Sequence, residues 1–110
     1  MNAYALLGLA IVAEVIGTTA LNLSHGFSRP IPSLGVIAGY GAAFYFLALA
    51  LEELPVGLVY ATWAALGIVA ITAIGVVVFG EQVDLAGLVG IGLILAGVYC
   101  LNIVSDISAH

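Results

Sequence analysis

The sequence predicts an all-α membrane protein with four transmembrane helices, and three observations predict it. The chain of 110 residues is 65% hydrophobic and only 6% charged, whereas ordinary soluble domains are roughly 45–50% apolar and about 25% charged. Its mean hydropathy is +1.33. It contains four apolar stretches of the ~20 residues that a helix needs to cross a hydrocarbon core about 30 Å thick. A chain this short leaves a large share of its surface exposed, so the solvent for that surface must be lipid.

The four stretches run from about Ala3 to Leu21, Ser33 to Leu51, Val56 to Phe79 and Leu85 to Val104, within a single domain spanning residues 1–110. Between the first two lie Pro30, Pro32 and Gly26, which stop a helix, and Ser33 is placed to cap the next one. Glu52-Glu53-Leu54-Pro55 separates the second from the third. Gly80-Glu-Gln-Val-Asp84 separates the third from the fourth, with Asp84 a candidate N-cap. Links this short make consecutive helices antiparallel neighbours and put both termini on one side. The first segment does not read as a signal peptide, because it lacks a basic start and carries Glu14 in its middle.

Charge excludes several functions. The formal net charge is −5, with Arg29 the only Lys or Arg. Nucleic-acid binding needs clustered basic residues, and so does a polybasic lipid-headgroup patch. Orientation follows the Lys/Arg bias of short loops, and a chain with Arg29 alone has little bias, which admits insertion both ways. Cys100 has no disulfide partner and reads as a small apolar helix residue. No catalytic triad, phosphate-cradling loop or metal-ligand spacing is present, so neither an enzyme nor a cofactor is called for. His25 and His110 fall in a loop and at the terminus and read as solvated.

Glu14 is the most informative residue. It lies near the middle of the first span, and no basic residue occurs in any span. An ionised carboxylate at mid-membrane costs at least a few kcal/mol, so intramembrane acids mark transport pathways and proton relays. Such a group suits holding a proton and releasing it when a cation arrives. The structural alternative is a protonated acid that bonds helices together. Helical spacing puts Tyr4, Leu7, Ala10, Ile11, Gly17, Thr18 and Leu21 on the same face. The small residues Ala10, Gly17 and Thr18 suit either a cavity or close helix packing.

Four aromatic residues lie at membrane depth: Tyr40, Phe44, Tyr60 and Trp63. Tyr40 and Phe44 are four apart and Tyr60 and Trp63 three apart, so each pair shares a face. Desolvated aromatic faces attract cations. With Glu14 they form the chemistry expected for a greasy, positively charged ligand; packing or interfacial anchoring is the alternative. In the fourth span Gly90 and Gly97 stand one heptad apart, and small residues allow close helix approach in lipid. That helix reads as a dimerisation helix, with an intrachain contact as the alternative. Four helices also enclose little interior, whereas two copies would surround a chamber holding two Glu14 side chains that titrate as a coupled pair.

These residues also form a recognisable set: Ala13-Glu-Val-Ile-Gly-Thr-Thr-Ala-Leu21, Ser24-His-Gly-Phe27, Pro32-Ser33, Tyr40 with Phe44, Leu54-Pro-Val-Gly57, Tyr60-Ala-Thr-Trp63, and Gly90, Leu93, Ile94, Gly97, Val98. In this the chain resembles the small multidrug resistance family, in particular its EmrE-like quaternary-cation branch, over essentially its whole length. The resemblance implies an antiparallel homodimer of dual topology in the plasma membrane of a prokaryote, exchanging protons for lipophilic, often aromatic cations in multidrug efflux. It implies that Glu14 is the shared proton and substrate site, that Tyr60 and Trp63 line the pocket, and that Tyr4, Tyr40 and Thr18 are secondary pocket residues. Gly90, Leu93, Ile94, Gly97 and Val98 would make the dimer contact. Three departures stand out: Asn22 replaces the family's usual lysine; Ala64-Ala65-Leu66-Gly67 replaces its Gly-x-Gly, so the bend in helix three rests on Gly67; and basic residues are scarce even for this family. Export of small cations such as guanidinium or polyamines is an alternative within transport. A non-transporting membrane assembly protein is an alternative of another class.

Overall fold

A computed structural model describes residues 2–105; Met1 and residues 106–110, including His110, lie outside the described residues. Four helices form: α1 (Ala3–Leu23), α2 (Pro30–Ala50), α3 (Val56–Phe79) and α4 (Leu85–Tyr99), the last continued by a π-helical turn over Cys100–Val104. All four spans, α4 being counted through Val104, are long and apolar enough to cross a membrane. The protein is a multi-pass membrane protein by this criterion. It divides into two compact units, Met1–Glu53 and Leu54–His110.

The first unit is the α1–α2 hairpin. Asn2 caps α1, its Oδ1 accepting from the Tyr4 N–H over 2.7 Å. The helix runs to Leu23, two residues past the expected end, and closes on the buried Ser24. Ser24 organises the turn: its hydroxyl donates to the Leu21 carbonyl and accepts from the Phe27 N–H, while its carbonyl accepts from the Ser28 and Arg29 N–H groups. This clasp carries His25, Gly26 and Phe27 through the left-handed region, at φ 48°, 70° and 67°. Only Gly26 enters that region without a Cβ penalty.

The expected start of α2 needs correction. The helix begins at Pro30, and Ser33 is not its cap. A proline in the first turn lacks only an N–H that would have had no intrahelical partner, and its fixed φ already matches the helix. Pro30 and Pro32 therefore open α2 where the sequence had suggested a break. Ser33 sits inside the first turn and donates its hydroxyl back to the Arg29 carbonyl over 2.6 Å.

α1 and α2 pack through small residues. A Cβ built on Gly39 would stand 2.7 Å from the Gly17 backbone and 2.9 Å from the Ala13 carbonyl; one on Gly35 would stand 3.2 Å from Ala20 Cβ. As 20 meets 35 and 17 meets 39, the two helices run antiparallel. Gly35, Gly39 and the buried Ala43 recur every four residues, the spacing that lets backbones approach and gain van der Waals contact where lipid supplies no hydrophobic drive.

The second unit is the α3–α4 hairpin. α3 spans Val56–Phe79 and ends on Gly80, which at φ 70° lets the Glu81 N–H reach back to the Gly75 carbonyl over 3.0 Å. α4 starts on Asp84, the expected cap, with Oδ1 accepting from the Gly87 N–H over 2.8 Å. No residue of α4 is buried. At its end the turn widens to π geometry, the Ser105 N–H reaching the Cys100 carbonyl. Cys100 is exposed there.

Candidate functional site

Glu14 lies three helical turns into α1 and is half-buried. Thr18, one turn on, shares its face, and its hydroxyl donates to Glu14 Oε1 over 2.7 Å. The Tyr40 hydroxyl of α2 lies 2.7 Å from the same Thr18 oxygen. A threonine hydroxyl has one proton. Since Thr18 gives it to Glu14, Tyr40 is the donor to Thr18. The three groups form a directed chain, Tyr40 to Thr18 to Glu14, that ends on the carboxylate.

The glycine seam makes this possible. A Cβ on Gly17 would meet Tyr40 Cδ1 and the Tyr40 N–H nitrogen at 3.2 Å. The phenol therefore lies against the backbone of α1 at Gly17 and reaches Thr18 one residue later. Gly17 is buried, and the space its missing side chain leaves is taken up by Tyr40. Of the two uses the sequence allowed for this residue, packing is the one observed. Ala10, 1% exposed, is likewise enclosed together with Leu7 and Ile11. Tyr4 is half-exposed near the start of α1, and Phe44, one turn beyond Tyr40, is exposed on α2.

Tyr60 and Trp63 form a second aromatic cluster, on α3. Their ring centroids are 6.4 Å apart at an interplanar angle of 67°, an edge-to-face pair. Tyr60 is 69% exposed and Trp63 half-buried. Gly67 is buried further along α3, which is helical without interruption from Val56 to Phe79.

On α4, Cβ atoms built on Gly90 and Gly97 meet nothing within 4 Å. Among the described residues, these glycines meet no partner within the α3–α4 unit. Leu93 is 69% exposed, Ile94 is exposed and Val98 half-buried. The seam Gly90, Leu93, Ile94, Gly97 is thus bare within its own unit among the described residues.

Sequence reasoning missed two features. The Gly35, Gly39, Ala43 repeat on α2, a small residue at every fourth position, is as legible as the heptad pair on α4, and it sets the approach that brings Tyr40 to Thr18. Asn102, an amide within an apolar span, donates from Nδ2 to Thr62 Oγ1 and to the Val98 carbonyl, each over 3.0 Å, and so ties the end of α4 to α3. A polar side chain in a hydrophobic run was the available signal. Among the described residues, no three His, Cys, Asp or Glu side chains gather in a way that would hold a metal ion.

This arrangement can be set beside known proteins. A family model described as Small Multidrug Resistance protein matches residues 2–94. The quaternary ammonium compound-resistance protein QacF of Klebsiella aerogenes is 51% identical over 110 residues, covering all of both chains. The quaternary ammonium compound-resistance protein QacE of Escherichia coli is 52% identical, again over the whole of both chains. A multidrug transporter of Pseudomonas aeruginosa is 47% identical over the same extent. End-to-end identity of this order, on a chain with four spans and an acid midway through the first, leaves one assignment: the chain belongs to the small multidrug resistance family, in its quaternary-cation branch.

Proposed function

We propose that this protein is a proton-coupled antiporter that exports lipophilic, aromatic and quaternary cations, with proton and substrate competing for Glu14. The observation that carries this reading is a carboxylate midway through a span, in a chain with no basic residue in any span, held at its Oε1 by the Tyr40–Thr18 chain. The names of the quaternary ammonium compound-resistance relatives support the substrate class.

The cycle needs few parts. A proton on Glu14 keeps the empty site neutral. A substrate cation displaces it and pairs with the carboxylate, while Tyr60 and Trp63, with Tyr4 and Phe44, offer aromatic faces to its apolar body. Because proton and cation exclude each other, a gradient of one drives the other through differential binding to the two conformations. The working unit in this reading is an antiparallel homodimer of dual topology in a bacterial plasma membrane, joined through Gly90, Leu93, Ile94, Gly97 and Val98, with Gly67 as the hinge of α3. The bare α4 seam and the near absence of Lys and Arg support the dimer and its two orientations.

The test is uptake of tetraphenylphosphonium into proteoliposomes under an imposed pH gradient. Wild type accumulates the cation and Glu14→Gln does not. Gradient-driven uptake that survives Glu14→Gln removes the mechanism. Preference for guanidinium over tetraphenylphosphonium in the same vesicles removes the substrate class and leaves the coupling.

A further inference from the structure

At the link end of the α3–α4 hairpin lies an open groove of about 710 Å³, walled by Val69, Ala73 and Val77 of α3 and Leu88 and Ile91 of α4, with Glu81 at its rim. Clefts of ~300–1,000 Å³ hold drug-sized ligands. Every other lining residue is uncharged, so Glu81 is the groove's single ionisable group.

Its position is set by the turn. Gly80 reverses the chain in the left-handed conformation, and the Glu81 side chain folds back over Gly75, where a Cβ would collide with the carboxylate. An acid is thus laid against the carboxyl end of α3, where the helix dipole favours cations and opposes anions. Nothing in the same unit compensates, because residues 54–110 contain no Lys or Arg. The negative rim calls for a cation from outside, and the trough beside it calls for an apolar body. A zwitterionic phospholipid fits less well, since its phosphate would find no Lys or Arg in this unit. The groove also faces away from the α4 glycines: at 3.6 residues per turn, Leu88 lies about half a turn and Ile91 about a third of a turn around the helix from Gly90 and Gly97.

We propose that this groove is a peripheral docking site for amphiphilic organic cations, which lie along α3 and α4 with their charge on Glu81. The proposal rests on the substrate class argued above and adds a second site that does not depend on Glu14. The test uses full-length protein in phosphatidylcholine vesicles and a quaternary ammonium probe carrying a photoreactive benzophenone. The expected result is labelling of the segment 69–91 that persists in Glu14→Gln and falls about fivefold in Glu81→Gln, the scale of one exposed ion pair. Ala73→Phe, which fills the trough and keeps the charge, lowers the labelling as well. Equal labelling of wild type and Glu81→Gln overturns the proposal. So does loss of labelling when phosphatidylethanolamine replaces phosphatidylcholine, which gives the groove to lipid. An interchain cross-link from Ala73→Cys also overturns it, because a second copy then covers the groove. Because the labelling is read in Glu14→Gln, which abolishes the proposed transport, failure here leaves the antiport reading untouched, and failure of antiport leaves this site testable.

Discussion

Thr18 gives its only hydroxyl proton to Glu14 over 2.7 Å, and by doing so obliges Tyr40 on the neighbouring helix to donate to Thr18. A residue that looks like a small spacer in the sequence is the middle member of a polar chain that crosses between helices. The direction of the chain depends on the charge of Glu14. With a cation paired to the carboxylate, both hydroxyl groups point toward it. With a proton on Oε1, the acid becomes the donor and the two hydroxyl groups reverse.

Removing the middle member should therefore weaken cation binding while leaving the carboxylate in place. Thr18→Val keeps the shape and removes the donor. The expected loss at fixed pH is about fivefold in tetraphenylphosphonium affinity, equivalent to about 1 kcal/mol for one hydrogen bond. Thr18→Ser should bind like wild type. Isothermal titration of the purified protein reads both, and wild-type affinity in Thr18→Val would show that the chain does not contribute to cation binding.

Competition for one site also predicts a proton count. Adding tetraphenylphosphonium to lightly buffered, detergent-solubilised protein should release protons in proportion to cation bound. Glu14→Gln should release none. A pH-sensitive dye measures this directly, and release without Glu14 would move the proton site elsewhere. The same measurement discriminates against a purely structural acid, which would give no release from wild type.

Glu14 was legible in the sequence because a charge inside an apolar run is visible before any geometry is known. So were the four spans, since length and hydropathy decide them. The start of α2 was misread because Pro30 and Pro32 carry two meanings: they break a helix interior and open a first turn, and only the backbone decides which applies. The glycines show a different limit. Gly35 and Gly39 stand four apart and Gly90 and Gly97 seven apart, both helical repeats of small residues, yet the first pair meets α1 and the second meets nothing within its own unit among the described residues. Spacing reveals a close-approach face without revealing whose backbone fills it. Asn102 was visible as a polar residue, but its contact with Thr62 requires knowing where the π turn carries it.

That contrast between glycines gives a paired prediction. Gly39→Ala places a methyl 2.7 Å from the Gly17 backbone, which cannot yield as a flexible side chain would. The α1–α2 hairpin must open, at a cost of about 1–3 kcal/mol for overpacking. Thermal unfolding in detergent should fall accordingly. Gly41→Ala, whose added Cβ meets nothing within 4 Å, is the control and should unfold like wild type.

Gly97→Leu should behave in the opposite way. A Cβ added at this position meets nothing within 4 Å, so helical content by circular dichroism should match wild type. The proposed dimer contact, however, would lose its close approach. Sedimentation in detergent should then report a monomer, with transport lost. A Gly97→Leu protein that stays dimeric moves the interface off this seam.

The tie between Asn102 and Thr62 is a polar bridge between α3 and the π turn after α4 that the sequence did not forecast. Interhelical hydrogen bonds in membranes average about 0.6 kcal/mol and reach about 1.7 kcal/mol. A double-mutant cycle with Asn102→Leu and Thr62→Val should therefore give a coupling of roughly 0.5–1.5 kcal/mol in unfolding free energy. Asn102 also bonds to the Val98 carbonyl, so Asn102→Leu alone should cost more than Thr62→Val alone. Equal single-mutant costs with no coupling would mean that the amide serves only its own helix. A measured coupling would identify the π turn as the element that carries Asn102 across to α3, because Asn102 belongs to that turn and Thr62 lies on the buried face of its neighbour.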